Sequence, residues 1–110
     1  MVTALAAQWD EVLAREASDW SHLYLELALT DTQRTEQACV AMAPLNPWRI
    51  DDDYRLGRLR FQAARTVGYG AAAGVVRMRM AQLDGAGIGG ELTVLRSIDA
   101  ARPVATQGPT

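Results

Sequence analysis

The 110-residue chain has one cysteine, one histidine, one phenylalanine and no lysine, and no long apolar run. A single cysteine excludes an internal disulfide, and with one histidine it is too few for a usual four-ligand zinc site. No stretch approaches the roughly 20 apolar residues that span a bilayer, and no basic start precedes an apolar run at the N-terminus. These absences predict a cytoplasmic protein without a metal, a cofactor or a membrane segment.

The charge balance argues against one class of partner. The net charge is −2, and all 11 basic residues are arginine. Proteins that bind nucleic acid are usually basic, because neutralising phosphates supplies most of their affinity. Nucleic acid is therefore a disfavoured partner, and the arginine and alanine bias favours a GC-rich bacterial genome. The ordinary globular composition predicts one domain over residues 1–100, with an extended or flexible tail over 101–110.

Two segments alternate with the period of a β-strand. The first runs from Trp20 to Thr30, and the second from Leu56 to Thr66, with Leu59 on its apolar side. Alternation over this length predicts strands that are buried on one face. We call that side of the sheet the leucine face, after the four residues that define it in the first strand: Leu23, Leu25, Leu27 and Leu29.

Three helices are predicted around these strands. Thr3 is placed to cap the first, over residues 3–17, and a Thr30–Gln33 capping box opens the second, which ends near Ala43. The third covers residues 71–84. The second and third helices are expected to cover the leucine face.

A short strand at Trp48–Ile50 and a last strand at Glu91–Ile98 complete the order helix, then β-α-β-β-α-β. This is the split βαβ order of ferredoxin-like folds, and the resemblance is one of fold alone. It implies an α+β two-layer sandwich with a four-stranded antiparallel sheet, two helices on one face and an extra N-terminal helix. Leu92, Val94 and Ile98 of the last strand are expected on one face.

The opposite side of the sheet, which we call the outer face, is the main candidate site. Tyrosine, tryptophan and arginine are enriched where partners bind. Three interpretations are open: a solvated face with Glu–Arg pairs, a self-association surface or a ligand surface. Apolar Ala28, Ala64 and Leu95 are expected to join the polar and aromatic residues of this face, which are Trp20, His22, Tyr24, Glu26, Arg58, Arg60 and Gln62.

Spacing along the first strand argues against a catalytic dyad on the outer face. His22 and Glu26 lie about 13 Å apart along the strand, which is too far for a shared hydrogen bond. Glu26 is instead expected to pair with Arg58 or Arg60 across the sheet. Cys39 is expected on the buried side of its helix, where the sheet separates it from His22.

Two polar or glycine-rich turns are weaker candidates. Gly68, Gly70 and Gly74 follow a strand and open a helix, as a phosphate-binding loop does, but their spacing departs from G-x-G-x-x-G by one residue. A turn and helix start is the preferred interpretation, with weak anion binding as the alternative. Asp51–Asp53 is expected to be a solvated turn and not a metal site.

The preferred function is a small non-catalytic binding or assembly module that forms a homodimer through the outer face, and an unidentified protein partner is also open. The alternatives are a small enzyme with a pocket between paired sheets, lined by His22, Tyr24, Arg58 and Arg60, or a regulatory domain that binds an anion at the Gly68–Gly74 loop. The N-terminal helix is the rival cover for the outer face. If it packs elsewhere, a two-fold dimer is expected.

Overall fold

The computed structural model describes residues 3–16, 20–48, 57–64 and 71–99. Its helices and strands are, in chain order, α1 (Leu5–Arg15), β1 (Trp20–Leu29), α2 (Thr35–Ala41), β2 (Arg58–Ala64), β3 (Ala71–Ala72), α3 (Ala73–Gly85) and β4 (Gly90–Asp99). Short 3-10 turns at Thr32–Arg34 and Ala43–Leu45 flank α2. The described residues thus form a small α+β fold.

β1 is the centre of a three-stranded antiparallel sheet, with β2 on one side and β4 on the other. β3 adds only two residues, which run parallel to the end of β2. The leucine face is buried as expected, with Leu23, Leu25 and Leu27 fully shielded from solvent. This burial confirms the division of the sheet into two faces that the alternation of β1 predicts.

The predicted four-stranded, ferredoxin-like sheet is wrong. Of the strand expected at Trp48–Ile50, only Trp48 is described, and it makes a single antiparallel bridge to Arg60. Before it come the 3-10 turn that contains Pro44, then Asn46 in the left-handed conformation, and then Pro47. Proline has no N–H to donate to a β-ladder, so pairing cannot extend back from Trp48.

All three helices pack on the leucine face. Burying an apolar side chain contributes about 1.5–3 kcal/mol, so elements that share apolar stripes gather in one layer. Cys39 is half-buried against this core. Because α1 joins the same core, it does not cover the outer face. The helix residues that pack with the leucines of the sheet are Leu5, Trp9, Val12, Ala38, Met42, Val76, Met80 and Leu83.

The start of α1 is capped by a side chain from another helix. Asp84, near the end of α3, accepts hydrogen bonds from the backbone N–H groups of Leu5 at 2.7 Å and Ala6 at 3.0 Å. The local N-cap residue, Ala4, makes no side-chain capping bond. First-turn N–H groups lack partners within their helix, and the N-terminus favours negative charge. The prediction that Thr3 caps α1 is wrong, and the helix ends at Arg15 rather than residue 17.

Two further polar contacts join α1 to α3. The Trp9 indole donates to the carbonyl of Ala73 at 3.0 Å. Arg77 donates two hydrogen bonds to the Asp10 carboxylate, at 2.9 and 3.0 Å. The hydrogen bond from Arg77 is the main reason that the pKa of Asp10 lies below its ordinary value. Because both side chains are about half exposed, the pair contributes little to stability.

The beginning of α2 also differs from the prediction. Asp31 caps the preceding 3-10 turn, where its carboxylate accepts a hydrogen bond from the Gln33 N–H at 3.0 Å. The α-helix starts only at Thr35 and ends at Ala41. The predicted capping residue, Thr30, is therefore wrong by one position.

β4 is an edge strand, and part of its edge is covered by Gln8 of α1. The Gln8 Oε1 atom accepts the Leu92 N–H at 2.8 Å, and its Nε2 atom donates to the Gly90 carbonyl at 2.9 Å. One side-chain amide thus replaces the donor and the acceptor that a neighbouring strand would supply. Gln8 closes this section of the edge to strand addition.

Candidate functional site

Cross-strand register brings the predicted outer-face residues together in rows across the sheet. Residues that lie directly opposite each other share a face, with Cβ atoms about 5 Å apart. Trp20 begins β1 opposite Asp99, and its side chain lies outside the described residues. The four rows, each taken from β2 through β1 to β4, are Arg58, Ala28 and Glu91; Arg60, Glu26 and Thr93; Gln62, Tyr24 and Arg96; and Ala64, His22 and Ile98.

A bulge in β4 changes which residues reach the outer face. Leu25 lies opposite Val94 while Tyr24 lies opposite Arg96, so Leu95 is an extra residue between them. One extra residue inverts the alternation beyond it. Ile98 therefore lies opposite His22 on the outer face, and the prediction that it shares a face with Val94 is wrong.

Glu26 and Arg60 form an ion pair at the centre of the outer face. They lie directly opposite each other, and the Arg60 Nε atom is 3.1 Å from the Glu26 Oε2 atom. The side chains are only 16% and 31% exposed, respectively. This confirms the predicted cross-strand pair and commits the Glu26 carboxylate to an arginine.

The outer face also carries an aromatic contact that sequence analysis missed. The rings of Tyr24 and Trp48 meet edge to face, with centroids 6.5 Å apart and an interplanar angle of 71°. Trp48 is held there by two backbone hydrogen bonds to Arg60, of 2.8 and 3.2 Å. The sequence held one signal for this contact, because the short strand expected at Trp48–Ile50 can bring residue 48 alongside β2. Trp48 remains 43% exposed and Leu95 remains 49% exposed, so apolar surface is accessible on this face.

His22 makes a local contact that argues against a role as a base for serine. Its Nδ1 atom is 3.1 Å from the Ser21 Oγ atom, and the Ser21 hydroxyl donates to the Ile98 carbonyl at 3.1 Å. The hydroxyl proton is thus used on the carbonyl, so this network requires His22 to donate from Nδ1. A base needs the opposite arrangement, with the imidazole accepting the hydroxyl proton.

The remaining candidates are separated or lie outside the described residues. Cys39 packs on the leucine side and His22 lies on the outer face, so the sheet separates them as predicted. Gly74 is exposed in the first turn of α3, and a side-chain Cβ there would meet no atom within 4 Å. Gly68, Gly70 and Asp51–Asp53 lie outside the described residues, so the anion-loop hypothesis stays a prediction.

Two clefts lie at the end of the sheet where β1 ends and β4 begins, away from Tyr24. The larger, of about 590 Å³, opens between the start of α1 and β4. The smaller, of about 280 Å³, lies beside Arg34. Arg34 already donates to the carbonyls of Ala86 at 2.8 Å and Gly87 at 3.0 Å, so it serves the end of α3. The residues that line the larger cleft are Thr3, Gln8, Glu11, Ala28, Thr30, Gly90 and Glu91.

Comparison with protein-family models, with curated proteins and with solved structures finds no match. Within the described residues, no group of three or more potential metal ligands occurs. None of the described helices has the length and apolar character needed to cross a membrane.

Proposed function

We propose that this protein is a small binding or assembly module that self-associates through the outer face of its sheet. The main support is the position of α1. Its apolar residues Leu5, Trp9 and Val12 are buried in the core on the leucine side, so this helix does not occupy the outer face. Tyr24 and Leu95 are then left at a surface that a second copy can cover.

The composition of the outer face suits burial against protein. Aromatic and arginine side chains supply most of the binding energy in protein interfaces. The Tyr24–Trp48 contact, worth about 0.5–1.5 kcal/mol to the fold beyond burial, holds two aromatic rings in position before any partner binds. Exposed Leu95 extends the apolar area. Apolar side chains exposed on one face are the kind of surface that protein partners cover.

The charged residues at the centre of the face do not oppose burial strongly. A single charge that loses its water without a partner is costly, whereas a hydrogen-bonded ion pair loses less. Glu26 and Arg60 are already paired at 3.1 Å and largely shielded. A second subunit can therefore cover the centre of the face without leaving an unpaired carboxylate.

A matched set of charge insertions tests the proposal. Tyr24→Glu and Leu95→Glu place a carboxylate on the outer face, while Val40→Glu places one on α2, where Val40 is 71% exposed. Sedimentation equilibrium is expected to show self-association weakened at least about tenfold by the first two changes. Val40→Glu is expected to leave association unchanged.

Circular dichroism and urea unfolding establish that each variant is folded. Leu95 is already half exposed, so Leu95→Glu keeps the test valid if Tyr24→Glu disturbs the strand. Equal association constants for the Leu95 and Val40 variants would contradict self-association through the outer face.

A further inference from the structure

We infer that the two copies meet face to face about a two-fold axis parallel to β1, which sets Arg58 of each subunit against Glu91 of the partner subunit. The inference rests on the proposed self-association and specifies its geometry. Arg58 and Glu91 lie on either side of Ala28 in one row of the outer face, and both are exposed. Their positions make the face complementary to itself.

Symmetry leaves two simple ways to pack one sheet face on its own copy. An axis parallel to β1 keeps each row in place and exchanges the two outer strands, so that β2 lies over β4 of the partner subunit. An axis perpendicular to β1 within the sheet plane keeps β2 over β2 and reverses the order of the rows. In a two-fold dimer every contact away from the axis occurs at two symmetric positions, so one favourable or unfavourable pairing contributes twice to the binding free energy.

The parallel axis matches chemical types in two rows. It sets Arg58 over Glu91 of the partner subunit, and Gln62 over Arg96 of the partner subunit, with each contact made twice. The two Glu26 side chains approach the axis, and each is already neutralised by its own Arg60.

The perpendicular axis mismatches the same residues. It takes Arg58 away from Glu91 of the partner subunit, and it sets Glu91 over Ile98 of the partner subunit at both symmetric positions. The contact of Glu91 with Ile98 removes water from a carboxylate and places an apolar side chain against it. Burying a charge without a polar partner is costly, so the row pattern favours the parallel axis.

The distances required are those of ordinary sheet packing. Packed sheets lie about 10 Å apart, and the long side chains of arginine and glutamate extend toward each other across that space. Arg58 is exposed alongside the contacts that it makes within its own chain, and its long side chain carries the planar N–H donors that match a carboxylate. The resulting ion pair lies at the rim of the interface, where charges select the orientation of the partner more than they add affinity.

Charge reversal tests this geometry. Arg58→Glu sets two carboxylates against each other at both symmetric positions, and Glu91→Arg sets two guanidinium groups there. Each variant alone is expected to weaken self-association about tenfold. An equimolar mixture of the two is expected to associate as strongly as the native protein, because both contacts become oppositely charged. The double variant Arg58→Glu/Glu91→Arg is expected to associate with itself equally well.

The outcomes separate this inference from the proposed function. Loss of association in both single variants without recovery in the mixture or the double variant would overturn the parallel axis. Native-like association of both single variants, in a protein that Leu95→Glu still dissociates, would overturn it as well. A native protein that stays monomeric would instead overturn the proposed function. The mixture is expected to associate more strongly than either single variant at low salt but not at 1 M salt, since surface charges are screened within about 3 Å at that ionic strength. This salt dependence supports pairing by charge.

Discussion

Removing the Asp84 carboxylate should destabilise a helix to which Asp84 does not belong. In Asp84→Ala, the N–H groups of Leu5 and Ala6 lose acceptors at 2.7 and 3.0 Å. Loss of a capping side chain costs about 0.5–2 kcal/mol, and a negative charge at a helix N-terminus contributes about 0.3–1 kcal/mol. Two part-buried donors lose their acceptors here. Some of this loss is offset at the C-terminal end of α3, where the negative charge of Asp84 is unfavourable and its removal stabilises the helix. We expect a cost of about 2 kcal/mol, which is a sizeable share of a typical unfolding free energy of 5–15 kcal/mol.

Urea unfolding, monitored by tryptophan fluorescence at one protein concentration, measures this cost. Asp84→Asn keeps one acceptor oxygen without the charge, so its cost is expected to be about half that of the alanine variant. Thr3→Ala is the matched control, because the sequence favours Thr3 as the cap and the structure does not use its hydroxyl in this way. A change below about 0.5 kcal/mol in Asp84→Ala, or an equal cost in Thr3→Ala, would refute capping by α3.

Two further changes probe the other contacts of α1. Arg77→Met should lower stability at neutral pH, and the difference from the native protein should vanish as pH falls through the lowered pKa of Asp10. A carboxyl whose pKa is lowered by folding stabilises the folded state at pH values above its ordinary pKa of about 4, and it loses that contribution when it is protonated. A difference in urea midpoints that does not change with pH would contradict this reasoning. Gln8→Met should speed hydrogen exchange at the Leu92 amide, which donates to Gln8 in the native fold. Unchanged exchange relative to a surface control, Gln33→Met, would show that Gln8 does not close the edge of β4.

The features that sequence predicted correctly are those that depend on neighbours along the chain or directly across one strand pair. The four leucines of β1 alternate with polar residues, and the sheet buries that side as expected. Period-two alternation brings residues of two adjacent strands onto one face, so Glu26 is predicted to meet Arg58 or Arg60, and the ion pair with Arg60 confirms it. Local pattern and pairing were sufficient for both.

The errors arise where a single residue or a distant contact changes a local pattern. Leu95 adds one residue to β4, which inverts the face of Ile98, and no residue type in that segment signals a bulge. The cap of α1 comes from Asp84, about 80 positions along the chain, so no N-terminal motif could reveal it. Pro47 prevents the pairing of Trp48 with Arg60 from extending toward the N-terminus, a restriction that the sequence does contain.

The mass of the native protein in solution tests self-association most directly. Light scattering over a dilution series from about 1 to 100 µM spans the affinities expected of small, specific interfaces. If the outer face binds a second copy, the mass will rise toward twice the 12.0 kDa of the chain. In Leu95→Glu, the rise in mass will move to a concentration at least about tenfold higher. A native protein that remains at 12.0 kDa at every concentration would contradict the assembly function.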